Sequence, residues 1–193
     1  MKKRVIIVTD GDHAAKEAVT TACANVGAYP LTITAGNPSR LTGEEVLFQI
    51  KSYPGEPVVV MADDGGWVGE GRGESIISYL LKSRDEIELL GVVAVASGTR
   101  HARGVVPDCS WTRQLKKSYL PVNKLGFEEQ SGHEYLEGDT TELLLLQNNI
   151  RIIGCGDPGK MDWRDDPAQG APVTTACLRA LINQPEREGI EPA

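Results

Sequence analysis

The chain has 193 residues and a net charge of −7 at neutral pH, and 40% of its residues are hydrophobic. This length suits one globular domain, and the apolar content is too high for an intrinsically disordered protein. The acidic balance and the aromatic content of only 5% exclude nucleic-acid binding driven by overall positive charge or by base stacking.

The cysteines and the apolar runs indicate the cellular setting. The four cysteines are Cys23, Cys109, Cys155 and Cys177, and no two of them form a CxxC pair. This spacing fits neither a zinc ribbon nor a thioredoxin-like site. Four cysteines allow two disulfides, but a domain of this length does not need them, so we expect reduced thiols in a cytosol-like compartment. The apolar run at residues 5–8 is too short for a signal peptide, and no segment reaches the ~18 apolar residues that span a bilayer. We expect a soluble protein without a membrane span, whose membrane contacts run through a partner.

Short β-branched runs alternate with amphipathic helices along the chain. The pattern predicts helices after Asp12, from the capping box Thr42-x-x-Glu45, around residues 76–81, and after Asp139. A final helix is expected around residues 173–181. The predicted strands cover residues 5–8, 31–34, 58–61, 89–96 and 150–153. Strands that alternate with helices build a parallel sheet with right-handed crossovers, so we expect a doubly wound α/β fold.

The expected domain covers residues 1–184. It contains a mainly parallel five-stranded sheet in a Rossmann-like three-layer sandwich, of flavodoxin-like or Toprim-like type. Residues 97–137 interrupt the alternation and predict an irregular arm or hairpin inserted into the domain. Residues 185–193 contain two prolines and four charged side chains, which predicts a disordered tail.

Aspartates concentrate in the loops that follow the predicted strands. Asp10 and Asp12 follow the first strand, Asp63 and Asp64 follow the third, and Asp157 follows the fifth. In open parallel sheets, ligands bind outside the carboxyl ends of the strands. Oxygen-only ligands suit Ca²⁺ or Mg²⁺, so we identify these five aspartates as candidate metal ligands. Each one singly has the alternative role of a helix cap or a turn residue.

Three loops offer contacts to a small ligand. Residues 63–74 contain five glycines, which predicts either a flexible loop or an anion contact through free N–H groups. Residues 97–100 offer hydroxyl groups and a guanidinium for a carboxylate or phosphate, or form an ordinary polar loop. Residues 154–160 fit GxxxxGK, but Met161 follows where a P-loop has Ser or Thr, which argues against nucleotide binding. The candidate ligand-binding residues are Gly65, Gly66, Arg72, Ser97, Thr99, Arg100 and Lys160. No nucleophile–base set emerges, so no catalytic residue is predicted.

Seven short blocks follow one another in a characteristic order. They are residues 8–12 (VTDGD), 35–38 (AGNP), 41–45 (LTGEE), 63–74 (DDGGWVGEGRGE), 93–97 (VAVAS), 156–162 (GDPGKMD) and 170–175 (GAPVTT). In this order they resemble the stage V sporulation AE family of spore-forming Bacillales. The resemblance runs from about residue 2 to residue 182 and is weakest at residues 105–137.

The resemblance implies a component of the stage V sporulation A system. That system moves dipicolinic acid, with Ca²⁺, into the spore core and is linked to its release at germination. The implied partners are other proteins of the system, including integral membrane proteins, and dipicolinic acid itself. The implied location is the forespore or spore, peripheral to the inner membrane. The resemblance brings no catalytic residues with it.

Two functions remain open at this point. The first is a non-enzymatic accessory or binding component with a cation or dicarboxylate at the strand ends. The second is a Toprim-like Mg²⁺-dependent phosphoesterase or nuclease, or its inactive descendant, because Asp10 and the Asp63-Asp64 pair occupy the places of that fold's acidic motifs. The Toprim pattern has Glu after the first strand and Asp-x-Asp after the third, so the adjacent aspartates weaken a two-metal geometry.

Overall fold

The computed structural model describes residues 1–67, 70–98, 104–138, 140–147 and 149–183. Its helices are α1 (His13–Val26), α2 (Gly43–Ser52), α3 (Arg72–Lys82) and α4 (Pro172–Ile182). Its strands are β1 (Lys3–Val8), β2 (Tyr29–Pro30), β3 (Val58–Met61), β4 (Ile87–Val95), β5 (Gly104–Val105), β6 (Cys109–Trp111), β7 (Lys117–Ser118), β8 (Leu136–Glu137) and β9 (Ile152–Cys155). Short 3₁₀ helices lie at Thr32–Thr34, Glu142–Leu146 and Pro167–Gln169.

Seven strands form the main sheet in the order β2-β3-β1-β4-β9-β6-β7, and β5 pairs with β8 in a separate two-stranded sheet. Neighbouring strands of the main sheet are parallel except β7, which runs antiparallel to β6. The predicted α/β class with a mainly parallel sheet is confirmed. The sheet exceeds the five predicted strands because β6 and β7, from the inserted segment, extend it beyond β9. Strand β3 lies between β2 and β1, whereas flavodoxin-like sheets have the order 2-1-3-4-5.

Strand β1 supplies apolar side chains to both faces of the sheet. Successive side chains of a strand point to opposite faces, so Val5 and Ile7 pack into the core beneath α2 and α3. Ile6 and Val8 pack into the core beneath α1 and α4. A strand covered on both faces reads as a continuous apolar run, and this explains the sequence of β1.

The helix caps predicted at Asp12 and at Thr42-x-x-Glu45 are present. The Asp12 carboxylate accepts the Ala15 N–H at 2.9 Å at the start of α1. At the start of α2, the Thr42 hydroxyl accepts the Glu45 N–H at 3.3 Å, and the Glu45 carboxylate accepts the Thr42 N–H at 2.8 Å. All four cysteines are buried free thiols. Within the described ranges, no helix is long and apolar enough to cross a bilayer.

Two predicted elements are wrong in part. The second strand, expected over residues 31–34, ends at Pro30 and gives way to a 3₁₀ helix. The Thr34 hydroxyl stabilises this turn, because it donates to the Leu31 carbonyl at 2.8 Å and accepts the Met61 N–H at 3.0 Å. The helix expected after Asp139 is reduced to the 3₁₀ turn Glu142–Leu146, where the Leu143 N–H donates to the Glu74 side chain at 3.3 Å. Asp139 and the tail at residues 185–193 lie outside the described residues.

Candidate cation and ligand site at the strand ends

A cleft of about 320 Å³ opens at the carboxyl ends of β1, β3, β4 and β9. The sheet topology brings these ends together, as expected for an open parallel sheet. Most of the candidate residues from the sequence line this cleft. They are Asp10, Asp12, Asp63, Gly65, Gly66, Ser97, Asp157 and Lys160.

Three carboxylates converge at the floor of the cleft. Asp10, Asp12 and Asp157 each present an oxygen, and the three oxygens lie within 4.8 Å of one another. Asp10 and Asp12 follow the end of β1, and Asp157 follows the end of β9. Oxygen clusters of this kind are typical of Mg²⁺ or Ca²⁺ sites.

Lys160 lies between two of these carboxylates. Its ammonium group is 2.6 Å from Asp12 Oδ2 and 2.9 Å from Asp157 Oδ1. Burial alone lowers the pKa of Lys160, but the contacts with Asp12 and Asp157 outweigh it and raise that pKa above its ordinary value. For Asp12, burial acts to raise the pKa. The hydrogen bonds from Ala15 and Lys160 outweigh burial, so the pKa of Asp12 is lowered from its ordinary value. Asp12 and Lys160 are therefore both charged at neutral pH.

Asp157 is the most deeply buried member of the three, with 4% of its surface exposed. Its Oδ1 accepts no well-aligned hydrogen bond from the described residues, although the Lys160 ammonium lies near it. Its Oδ2 is 3.3 Å from the Lys124 ammonium, which is half exposed at the rim. The Lys160 ammonium, 2.9 Å from Oδ1, already compensates the buried charge of Asp157, so a metal ion bound at this oxygen would have to displace that ammonium.

Asp10 has an unusual acidity for an aspartate. Its pKa is raised from 3.8 to about 7, first by burial and then by the negative charges of Asp12, Asp63 and Asp157. With every group ionised, the four aspartates and two lysines that line the cleft among the described residues carry a net charge of −2. A divalent cation matches this charge.

Asp63 has a partly structural position in the cleft. Its carboxylate accepts the Gly11 N–H at 3.2 Å and the Gly65 N–H at 2.7 Å, and so connects the loops after β1 and β3. Gly11 is required here, because a Cβ atom at this position would lie 2.9 Å from the Gly36 carbonyl oxygen. The glycine thus permits the loop after β1 to approach the loop that contains Gly36 and Asn37 closely, and these two loops form one wall of the cleft.

Asp64 and Arg72 lie elsewhere. The Asp64 carboxylate accepts the Gly73 N–H at 2.6 Å and the Glu74 N–H at 3.3 Å, and so satisfies the N-terminus of α3. Asp64, Arg72 and Trp67 line a second, wider depression of about 580 Å³ beside the cleft. Thr99 and Arg100, which were candidate ligand contacts, lie outside the described residues.

Sequence reasoning missed several residues of the cleft. Lys124, Asn37 and Thr9 line it without having been singled out. Lys124 comes from the inserted segment, and its backbone carbonyl accepts the Asp157 N–H at 2.9 Å. Asn37 lies in one of the recognised blocks, the AGNP run at residues 35–38, which was the available signal for it. Nothing in the local sequence of Lys124 indicates that its loop returns to the sheet edge.

The fold and the cleft define an α/β protein with an acidic site at the carboxyl edge of its sheet. The chain belongs to the family of stage V sporulation protein AE1, whose family model matches residues 4–185. The resemblance drawn from the seven sequence blocks is therefore confirmed, and membership gives the protein a role in sporulation. No curated protein and no solved structure matches the chain.

Proposed function

We propose that this protein is a non-enzymatic binding component of the machinery that transports dipicolinic acid in spores. Its cleft then holds a divalent cation, with Ca²⁺ the first candidate, together with a dicarboxylate ligand. Its partners are other stage V sporulation A proteins, including integral membrane components, at the inner membrane of the forespore or spore. The observation that carries the proposal is the convergence of the Asp10, Asp12 and Asp157 oxygens within 4.8 Å.

The donor set supports a hard cation. All the acidic donors in the cleft are carboxylate oxygens, which Ca²⁺ and Mg²⁺ prefer over softer ligands. Asp157 Oδ1 is paired with the Lys160 ammonium at 2.9 Å, and a divalent cation would replace that ammonium as its partner. The pKa of Asp10 is raised because burial and neighbouring negative charges penalise its ionised form, and a cation beside it would relieve this penalty. These residues therefore fit a divalent cation.

The rim supports an anionic ligand beside the cation. Lys124 is half exposed, and its ammonium is available to a carboxylate group that approaches from solvent. Ser97 and the Gly65–Gly66 turn line the same opening. A cleft of about 320 Å³ is within the range of sites for small organic molecules. A metal–dicarboxylate chelate carries a positive metal ion and negative carboxylate groups. The acidic floor of the cleft complements the metal ion, and the basic rim complements the carboxylates.

The competing function is a Mg²⁺-dependent phosphoesterase of Toprim-like type, because the same three carboxylates suit Mg²⁺. The position of Asp64 argues against it, since its carboxylate accepts two N–H groups of α3 instead of facing the cleft. A two-metal site needs several carboxylates aimed at one volume. The two functions differ in one readout, which is Mg²⁺-dependent hydrolysis of phosphate esters that Asp63→Asn reduces.

Isothermal titration calorimetry tests the proposal directly. We expect wild-type protein to bind Ca²⁺, and to bind dipicolinate more tightly when Ca²⁺ is present. Asp157→Asn should abolish the calcium heat, because it removes a buried ligand charge. Asp85→Asn is the matched control, since Asp85 is exposed after α3 and away from the cleft. Flat titrations of wild-type protein with Ca²⁺, dipicolinate and their mixture would refute the proposal.

A further inference from the structure

One segment of this acidic chain is strongly basic. Residues 109–127 contain four basic and no acidic side chains, in a chain whose net charge is −7. The segment forms β6, β7 and the turn that follows them. Arg113 is paired with Asp162, and Lys124 with Asp157 at the cleft. The positive charge that these ion pairs leave belongs to Lys116 and Lys117, at the start of β7, the terminal strand of the main sheet.

The same segment exposes large apolar side chains. Leu115, Tyr119, Leu125 and Phe127 are all exposed, and Tyr119 has 77% of its surface in solvent. Trp163, in the loop after β9, is 76% exposed. We define the basic face as the exposed side chains of Leu115, Lys116, Lys117, Tyr119, Phe127 and Trp163.

Arg113 links the parts of the basic face into one surface. Its guanidinium lies 4.5 Å from the centre of the Phe127 ring and 2.9 Å from Asp162 Oδ2. Its backbone N–H donates to the Gly126 carbonyl at 2.8 Å. The hairpin, the turn at residues 123–127 and the loop that carries Trp163 are therefore held together around one side chain.

We propose that the basic face binds directly to an anionic lipid surface. This replaces the expectation that contacts with a membrane run only through a protein partner. Exposed Trp and Tyr side chains are enriched at membrane–water interfaces. Lysines beside them are attracted to anionic headgroups. The inference rests on the proposed location beside a membrane, but it requires neither the cleft nor its ligand.

Other occupants match this face less well. A second copy of the chain would bring equal positive charges together, which opposes association. Protein–protein interfaces are depleted in lysine relative to the rest of a protein surface, whereas Lys116 and Lys117 both lie exposed at the centre of the segment. Aromatic and leucine side chains interleaved with lysine are the composition of segments that lie in the lipid interface.

Vesicle flotation with the full chain tests the proposal. The vesicles are pure phosphatidylcholine or an equimolar mixture with phosphatidylglycerol, and a chelator excludes calcium bridging to the lipid. We expect binding to the anionic vesicles alone, weakened by salt. Lys116→Gln/Lys117→Gln should lower the partition coefficient roughly 30-fold. Tyr119→Ser/Trp163→Asn should lower it about tenfold, and asparagine tolerates the positive φ of 66° at position 163.

Three controls separate lipid binding from loss of the fold. Lys116→Arg/Lys117→Arg should keep wild-type binding, because it keeps the charge. Phe48→Ser and Lys82→Gln change exposed residues of α2 and α3 and should also bind like wild type. Failure of wild-type protein to float with anionic vesicles at low salt would overturn the inference, as would equal binding by the Gln variants. If the wild type did not bind lipid but bound an acidic protein, and the Gln variants lost that protein, the basic face would be a protein interface instead. None of these results depends on calcium, so they are separable from the calorimetric test of the cleft.

Discussion

The Lys160 ammonium lies 2.6 Å from Asp12 Oδ2, although the two residues are separated by 148 positions in the chain. The other oxygen of Asp12 accepts the Ala15 N–H and caps α1. One carboxylate thus serves both as a helix cap and as the partner of a lysine from the loop after β9. Lys160 supplies one positive charge to the cluster of aspartates in the cleft. It therefore competes with any added cation for the same carboxylates.

Replacement of Lys160 should make the stability of the fold dependent on calcium. Lys160→Met removes the partner of Asp12 and Asp157. It should lower the free energy of unfolding by about 1–2 kcal/mol in a chelator, because Lys160 is partly exposed and solvent screens its ion pairs. Added Ca²⁺ should restore much of this loss, because the cation replaces the missing ammonium. Urea unfolding with and without Ca²⁺ measures the effect, with Lys82→Met as the exposed control. A loss that Ca²⁺ leaves unchanged would contradict this prediction.

Calcium binding should strengthen as the pH rises through about 7, where Asp10 loses its proton. The folded protein holds this proton more tightly than the unfolded chain does, because the pKa is raised from 3.8. Without calcium, the contribution of Asp10 to stability is therefore present at low pH and is lost between about pH 4 and pH 7. Calorimetry at a series of pH values should show this rise in affinity for wild-type protein. Asp10→Asn should flatten it, and an equally steep rise in that variant would disprove the role of Asp10.

Asp165 should matter for stability and not for binding. This residue is fully buried, and its carboxylate accepts hydrogen bonds from Val173, Thr174 and Gly159. Asp165→Ala leaves the donors of Val173 and Thr174, at the start of α4, and the Gly159 N–H, in the loop after β9, without their acceptor. It should cost about 3 kcal/mol. Urea unfolding measures this cost. Calcium titration of the folded variant should match wild type, since Asp165 does not line the cleft, and a weaker calcium affinity would contradict this assignment.

Gly11→Ala should disturb the wall of the cleft. The added Cβ would approach the Gly36 carbonyl oxygen to 2.9 Å, so one of the two loops must move. We expect a loss of about 1–3 kcal/mol in the free energy of unfolding, together with weaker binding of the chelate. Equal ligand affinity in Gly11→Ala and wild type would show that the wall does not contribute.

The sequence predicts most of the site but not the direction of every side chain. Asp10, Asp12 and Asp157 could be identified because the ends of parallel strands meet at one edge of the sheet. Asp63 and Asp64 are adjacent in sequence and could not be distinguished, since the tertiary position of α3 decides that Asp64 binds its N-terminus. Lys124 could not be found either, because its contact with Asp157 depends on the return of an inserted segment across the sheet edge. The strand runs were predicted well where both faces are buried, as in β1 and β3, and poorly at β2, where a hydroxyl group replaces the strand pairing.

A crystal structure of the protein soaked with Ca²⁺ and dipicolinate tests the central claim most directly. We predict calcium about 2.3–2.6 Å from oxygens of Asp10 and Asp157, the Lys160 ammonium displaced from Asp157, and a ligand carboxylate beside Lys124. An ordered cleft at saturating calcium dipicolinate, with Lys160 still between Asp12 and Asp157 and no cation beside Asp10, would contradict the account.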